Sequence, residues 1–405
     1  MTPTKHPDDR PLAGVRIVEI SSFVASPLCG LTLCQLGAEV IRIDPIGGAA
    51  DIDRWPVTAA GESIYWTGLN RGKRSLALDL RSDAGRDIVQ RLVAAPGGGV
   101  LVTNAGGRDW MSHETLSALR SDVITLELLG RHDGRPAVDY TVNAALGFPQ
   151  ITGPADYAGV VNHVLPAWDV AAGLHAALAV TAAVRRRELT GAGSRIVLPL
   201  EDVALATAGA LGYLTEPQVN GTGRPATGNA VYGTYGTDFV TADGERFMIV
   251  ALTSRHFRDL MALTGTEKLV AAVESALGAD FGRESDRYEH REVLTGLFAR
   301  WFRTHSADEV GTALGASSVL HERYRTFEQV VGSGDLAANP LFAELTQPRI
   351  GTYLAAAAPA SYDGAHLHTG PAARLGADGR EVLRAVLALG DAEIAELEQA
   401  GVVAI

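Results

Sequence analysis

The stretch PLAGVRIVEISSFVASPLCGLTLCQLGAEVIRID, residues 11–44, decides the fold. Residues 14–20 are apolar and β-branched, the composition of a buried strand. Residues 27–36 read as a helix stopped by Gly37, and 38–44 as a second strand. A β-α-β order of this kind implies a parallel sheet with a right-handed crossover. The strand-to-helix turn, residues 21–26, lacks the glycine fingerprint of dinucleotide binders. It still lies at a strand's carboxyl end, where open α/β sheets bind ligands.

Moving outward, a long polar loop runs from Gly47 to Glu62, a length at which loops are often functional. Leu69-Asn-Arg-Gly-Lys-Arg-Ser75 then places three cations around a glycine before a strand over 76–80. Helices over 83–93 and 114–120 alternate with strands over 100–103 and 123–129. A long alanine-rich helix over 168–187, a strand over 195–200 and a helix over 201–214 follow. The turn-rich stretch 216–227 reads as a linker into a smaller α+β unit. That unit has short strands around Asp243-Gly244 and helices near 254–264, 266–278 and 288–304. Residues 336–371 read as irregular, and helices over 381–388 and 391–400 finish the chain. The expected organisation is a large α/β open-sheet domain of Rossmann type over 1–215, a small α+β domain over 222–335, and a return over 336–405 to the large domain.

At 405 residues the chain exceeds one ordinary core, and 46% hydrophobic with 20% charged residues is a soluble globular profile. A net charge of −12 argues against nucleic acid as a partner. The basic cluster Arg185-Arg-Arg187 ends a helix pattern, where cations suit the dipole. The first ten residues lack the apolar region of a signal peptide, and no uncharged apolar run is of membrane-spanning length. Cys29 and Cys34 fit core thiols better than a disulfide framework. A cytoplasmic protein with no membrane partner is expected.

Several chemistries are excluded. No Gly-x-Ser-x-Gly elbow and no Walker loop occurs. His366 and His368 have no companions at zinc spacing, so no metal is expected. What stands out is Arg135-Pro-Ala-Val-Asp-Tyr-Thr-Val-Asn143, where Asp139 sits between turn formers and a helical run. One reading makes Asp139 a helix cap. The other makes it a carboxylate nucleophile.

Several segments taken together resemble the family III CoA-transferases. They are residues 11–44, "LNRGKRSLALDL", "AWDVAAGLHAALAVTAAVRRRELTGAGSRI" and "LGADGREVLRAVLALGDAEIAELEQAGVV". The resemblance implies an interlocked homodimer of ring-like subunits. Coenzyme A enters as part of the substrate, and no cofactor is permanently bound. It places Asp139 of "AVDYTVNAALG" at the nucleophile, attacking an acyl-CoA thioester to give an aspartyl anhydride and then an aspartyl-CoA thioester. It further implies substrate or CoA contacts at Val24, Ala25, Leu69, Asn104, Arg108 and Asp169. Arg42, Arg71, Lys73 and Arg74 are candidates for the CoA phosphates. Tyr140, Asn143 and His163 are candidates for the acyl pocket, and Gly228 with Asn229 for oxyanion donors. Val138 stands where racemase members carry a histidine, which opposes racemisation. "DPIGG…WPVT" and "VNHVLPAWD" resemble a subgroup that moves CoA between the two carboxyls of one diacid. The competing expectations are intermolecular transfer, racemisation and a non-catalytic CoA-binding protein.

Overall fold

The structure, a computed structural model, describes residues 10–405. The N-terminal segment read for a targeting signal therefore lies almost wholly outside the described residues. In chain order come β1 (Arg16–Ile20), α1 (Ala25–Gln35), β2 (Glu39–Pro45), α2 (Ile64–Leu69), β3 (Arg74–Leu78), α3 (Asp83–Ala94) and β4 (Val100–Thr103). These are followed by α4 (His113–Leu119), β5 (Ile124–Leu129), α5 (Asp139–Ala145), α6 (Phe148–Ile151), α7 (Ala167–Thr190), β6 (Ser194–Pro199) and α8 (Leu200–Ala210).

The chain divides into two compact units. One comprises residues up to 146, 163–215 and 335–405; the other comprises 147–162 and 216–334. Residues 147–162 thus group with the second unit, a division the sequence reading did not foresee. Nothing in their composition distinguishes them, because the grouping is set by long-range contact.

The first unit is built on a seven-stranded sheet in the order Val403–Ala404, β3, β2, β1, β4, β5, β6. β1 to β6 are parallel and the C-terminal strand is antiparallel to β3. Parallel strands buried on both faces need continuous apolar sequence, and all four residues of β4 are buried. On one face Ile88, Leu92, Leu116, Val382, Leu383 and Ile394 join the strand side chains in a single core. Outside that core, α1, α7 and α8 pack on strands and on one another. Strand order reverses between β1 and β4, so a crevice opens at their carboxyl ends.

Two glycines set how closely α1 can approach its neighbours. A Cβ on Gly30 would lie 1.6 Å from Glu19 Oε2, and one on Gly173 of α7 would lie 2.7 Å from the Ala25 carbonyl. By length and mean hydropathy, 1.4 over its most apolar window, α7 could cross a membrane, although Asp169 and Arg185 bound its uncharged run. Its Ala172, Gly173, Ala176, Ala177 and Val180 are buried, and it packs on α1. That is the pattern of a core helix.

The second unit carries an antiparallel sheet of β7 (Tyr235–Val240), β8 (Arg246–Ala251) and β9 (Leu320–Arg323). Its core is aromatic, with Phe239 stacked on Phe302 at 4.2 Å between ring centroids. The helix Ala307–Gly315 and β9 had no counterpart in the sequence reading. The stretch 336–371 is also more regular than expected, because Phe342–Gln347 and Gly351–Ala356 pair as a hairpin. Alanine, glutamate and glycine gave that hairpin little strand signal, and cross-strand pairing overrides weak propensity.

Replacing Gly173 by Val should push α1 from α7 and lower stability by about 1–3 kcal/mol in urea unfolding. An unchanged midpoint would mean the helix contact tolerates the added atoms.

Candidate active site

Asp139 is the first residue of α5 and is 1% exposed. Its Oδ2 accepts the backbone N–H groups of Trp168 (2.7 Å) and Asp169 (3.1 Å), in the first turn of α7. Its Oδ1 accepts the His163 Nε2–H at 2.6 Å. The cap reading was therefore right in kind and wrong in place: Asp139 caps α7 and leaves its own helix without a side-chain cap. The cause lies in α7, whose N-cap residue is Pro166, a side chain with no acceptor. A second tie runs from Trp168 Nε1–H to Asn143 Oδ1 at 3.1 Å. Tyr140 donates to the Val164 carbonyl (3.2 Å) and sits edge-on to the His163 ring at 5.7 Å.

The two aspartates brought together here are chemically unlike. Asp139 has both oxygens engaged and almost no exposure, so its hydrogen bonds lower the nucleophilicity of either oxygen toward a thioester. The expectation that it is the nucleophile meets that obstacle. Asp139 and Asp169 both line a cavity of about 650 Å³ with Ser22, Phe23, Arg54, Tyr65 and Asn104, and Asp169 is the more exposed of the two. Its carboxylate is partly exposed and has no hydrogen bond or ion pair among the described residues. Burial and the neighbouring Asp139 charge push it up to about 6, with Arg54 opposing. A carboxylate of that basicity is still mostly ionised at neutral pH and is a stronger nucleophile than an ordinary aspartate.

The turn after β1 forms one wall. Asn104 at the end of β4 accepts from Ser22 N–H (3.1 Å) and donates to its carbonyl (2.8 Å). Phe23 adopts φ 67°, the left-handed region, and its N–H donates to Asp51 at 2.8 Å. That explains how the turn dispenses with glycine: a buried carboxylate holds a strained residue in place. The N-terminus of α1, at Val24 and Ala25, has no side-chain cap. Its first-turn N–H groups have no partner within the helix.

The basic residues proposed for CoA phosphates separate into two groups. Arg42 is 1% exposed, bonded to Asp44 (2.9 Å), Asn70 (3.0 Å) and the Ser21 carbonyl (3.0 Å). Lys73 is buried on Glu19 (2.9 Å), Asn70 (2.9 Å) and the Pro27 carbonyl (2.8 Å). Both brace the turn from beneath and meet no solvent. Arg74 is paired with Glu39 (2.7 Å) and Glu381 (3.1 Å). Arg71 is half-buried, its Nε–H on the Gly68 carbonyl at 3.3 Å, and Leu69 closes α2 beside it. Arg108 is exposed and lines a groove of about 1160 Å³ that shares Ser22 and Asn104 with the Asp169 cavity. Gly228 and Asn229 belong to the second unit, where Gly228 N–H donates to Gly153 (3.0 Å) and Asn229 to Asp238 (3.0 Å).

Sequence reasoning missed Arg54, Tyr65 and Asp51. All lie in or just after the long loop singled out for its length, which was the available signal. The Tyr65 hydroxyl is buried without a hydrogen-bond partner, and burial pushes it up to about 12, so it remains protonated.

A description of CoA-transferase family III matches residues 12–379. The chain belongs to CoA-transferase family III. Within this family it is 43% identical over 399 residues to the 2-methylfumaryl-CoA isomerase of Chloroflexus aurantiacus, spanning 97% of this chain and 98% of that one. It is 27% identical over 413 residues to succinyl-CoA–D-citramalate CoA-transferase of the same organism, with 96% and 97% covered. Among solved structures, a CAIB/BAIF family protein from Brucella suis superposes with TM-score 0.76 at 25% identity, covering 92% of this chain and 98% of that one. A family III CoA-transferase is an enzyme acting on CoA thioesters, so the Asp169 cavity and its adjoining groove are the places to seek them.

Asp139→Asn keeps an acceptor for α7 but removes a charge that raises Asp169. The Asp169 carboxyl should then titrate lower than in the wild type, moving any activity limb it controls to lower pH. Asp139→Ala, which strands two buried N–H donors, should cost about 1–3 kcal/mol in urea. A profile unmoved in Asp139→Asn would mean the two carboxylates are not coupled.

Proposed function

We propose that the protein moves CoA between the two carboxyl groups of 2-methylfumarate (mesaconate), through a thioester on Asp169. The observation that carries the nucleophile is the unbonded Asp169 carboxylate, raised to about 6, facing a cavity of about 650 Å³. The similarity to 2-methylfumaryl-CoA isomerase over nearly the full chain supports the diacid.

Asp169 attacks the acyl-CoA carbonyl, expelling CoA thiolate and leaving a mixed anhydride. The thiolate then attacks the aspartyl carbonyl, releasing the diacid carboxylate and forming aspartyl-CoA thioester. The other carboxylate of the same diacid attacks this thioester, again expelling thiolate and giving a new anhydride. Thiolate attack on the acyl carbonyl frees Asp169 and completes the exchange without net gain of protons or electrons. The uncapped first turn of α1, at Val24 and Ala25, supports a role in stabilising the oxyanions and thiolate. The larger groove, with Arg108 on its rim, suits the nucleotide end of CoA.

The interlocked homodimer belongs to the same proposal. Val164 at 94% exposure, Leu165 at 60% and Leu178 at 67% give it apolar surface to cover. A cytoplasmic location is compatible with two buried free thiols.

Hydroxylamine should trap a hydroxamate at residue 169 in wild type and none in Asp169→Asn, read by mass spectrometry of the peptide. Turnover should fall as pH drops through about 6, because the attacking form is the ionised one. The raised group opposes folding above that pH, and the opposition is relieved as pH falls. Asp169→Asn should therefore be at least as stable as wild type at pH about 7. Hydroxamate at residue 139 instead would overturn the assignment. Labelled free mesaconate entering the product at the catalytic rate would indicate an intermolecular transferase.

A further inference from the structure

We propose that Arg54 holds the non-reacting carboxylate of the diacid while the other end reacts at Asp169, an assignment that rests on the diacid CoA-transfer reading. Intramolecular transfer sets a demand that transfer to an external acceptor does not. The freed diacid is a dianion that must stay in the cavity and present its opposite end. A fixed cation that binds whichever carboxylate is idle meets both needs.

Few cations near Asp169 can serve. Arg42 and Lys73 are buried and already engaged by interior carboxylates. Arg54 lines the same cavity as Asp169, and its charge acts on that carboxylate. It forms no ion pair among the described residues. Its guanidinium lies 5.5 Å from the Phe23 ring centroid and 5.4 Å from that of Tyr65. Flanking rings fix a guanidinium without using its N–H edges, which stay available for a carboxylate. The backbone is pinned as well: Arg54 N–H donates to the Asp51 carbonyl at 3.1 Å, and its carbonyl accepts Ser63 Oγ–H at 2.5 Å. Tyr65 lines the same cavity beside it. Phe23 is held by the Asp51 carboxylate and Arg54 N–H by the Asp51 carbonyl, so one residue ties the strained turn to the loop that carries Arg54. An exposed arginine of no special role would not need these supports.

The test compares two thioesters with the full-length enzyme: 2-methylfumaryl-CoA, and crotonyl-CoA, which lacks the distal carboxylate. The rate of adduct formation at residue 169 is read in single turnover by hydroxylamine trapping. Arg54→Gln should lower the ratio of diacid to monoacid rates by roughly 100-fold. Arg54→Lys should restore part of it, and labelled free diacid should begin to exchange into product in the glutamine variant. An unchanged ratio, or an equal fall with both thioesters, would overturn the assignment and leave Arg54 as a structural side chain. Failure of the wild type to form any adduct with either thioester would instead sink the CoA-transfer reading at its base, and this assignment with it.

Discussion

The Asp139 carboxylate reaching across to the N-terminus of α7 is the constraint on which the site depends. Helix α7 begins after Pro166, whose side chain cannot cap it. Without an outside oxygen, buried N–H groups at Trp168 and Asp169 would go unpaired, at a cost of about 1–3 kcal/mol. Supplying that oxygen from α5 locks two helices together. It also fixes the backbone from which the Asp169 side chain projects, and sets a negative charge close enough to raise that side chain's affinity for a proton. Burial raises the Asp169 carboxyl most, and the Asp139 charge adds to it. The carboxylate that is sealed makes the carboxylate that is open both well placed and more basic.

The opposite wall is organised by charge as well. Glu19, Arg42, Asp44, Asp51 and Lys73 form a buried network between the carboxyl ends of β1 and β2 and the entry to β3. Buried ions survive only when paired and hydrogen-bonded, and three of these residues also grip the backbone of the turn or helix above. Arg42 and Lys73 hold the Ser21 and Pro27 carbonyls, while Asp51 holds Phe23 N–H. The network therefore converts interior electrostatics into a rigid, glycine-free turn at the switch point of the sheet. Residues whose type suggests phosphate binding are used instead as scaffolding. That distinction is invisible until burial is known.

Much of the fold was legible because its signals are local. The continuous apolar runs of β1, β2, β4 and β5, the alternating helices and the turn-rich linkers all state their structure within a few residues. The hairpin over 342–356 was not, because pairing between weak strands is a non-local event. The grouping of residues 147–162 with the second unit escaped for the same reason. At the site, Asp139, His163, Asp169 and the Val24–Ala25 turn were all marked as of interest from sequence, whereas Arg54 in the long loop and Tyr65 just after it were passed over.

The sequence by itself determined the order of strands and helices, the family and hence the class of chemistry, since these rest on periodicity and motifs read along the chain. Only the tertiary structure decided which aspartate lies open and which is spent on capping, and which cations face a cavity and which face an interior anion. The physical reason is that nucleophilicity and charge availability depend on desolvation and hydrogen-bond occupancy. Both are settled by partners 24 to 30 residues away from Asp139 along the chain, and no local pattern encodes them.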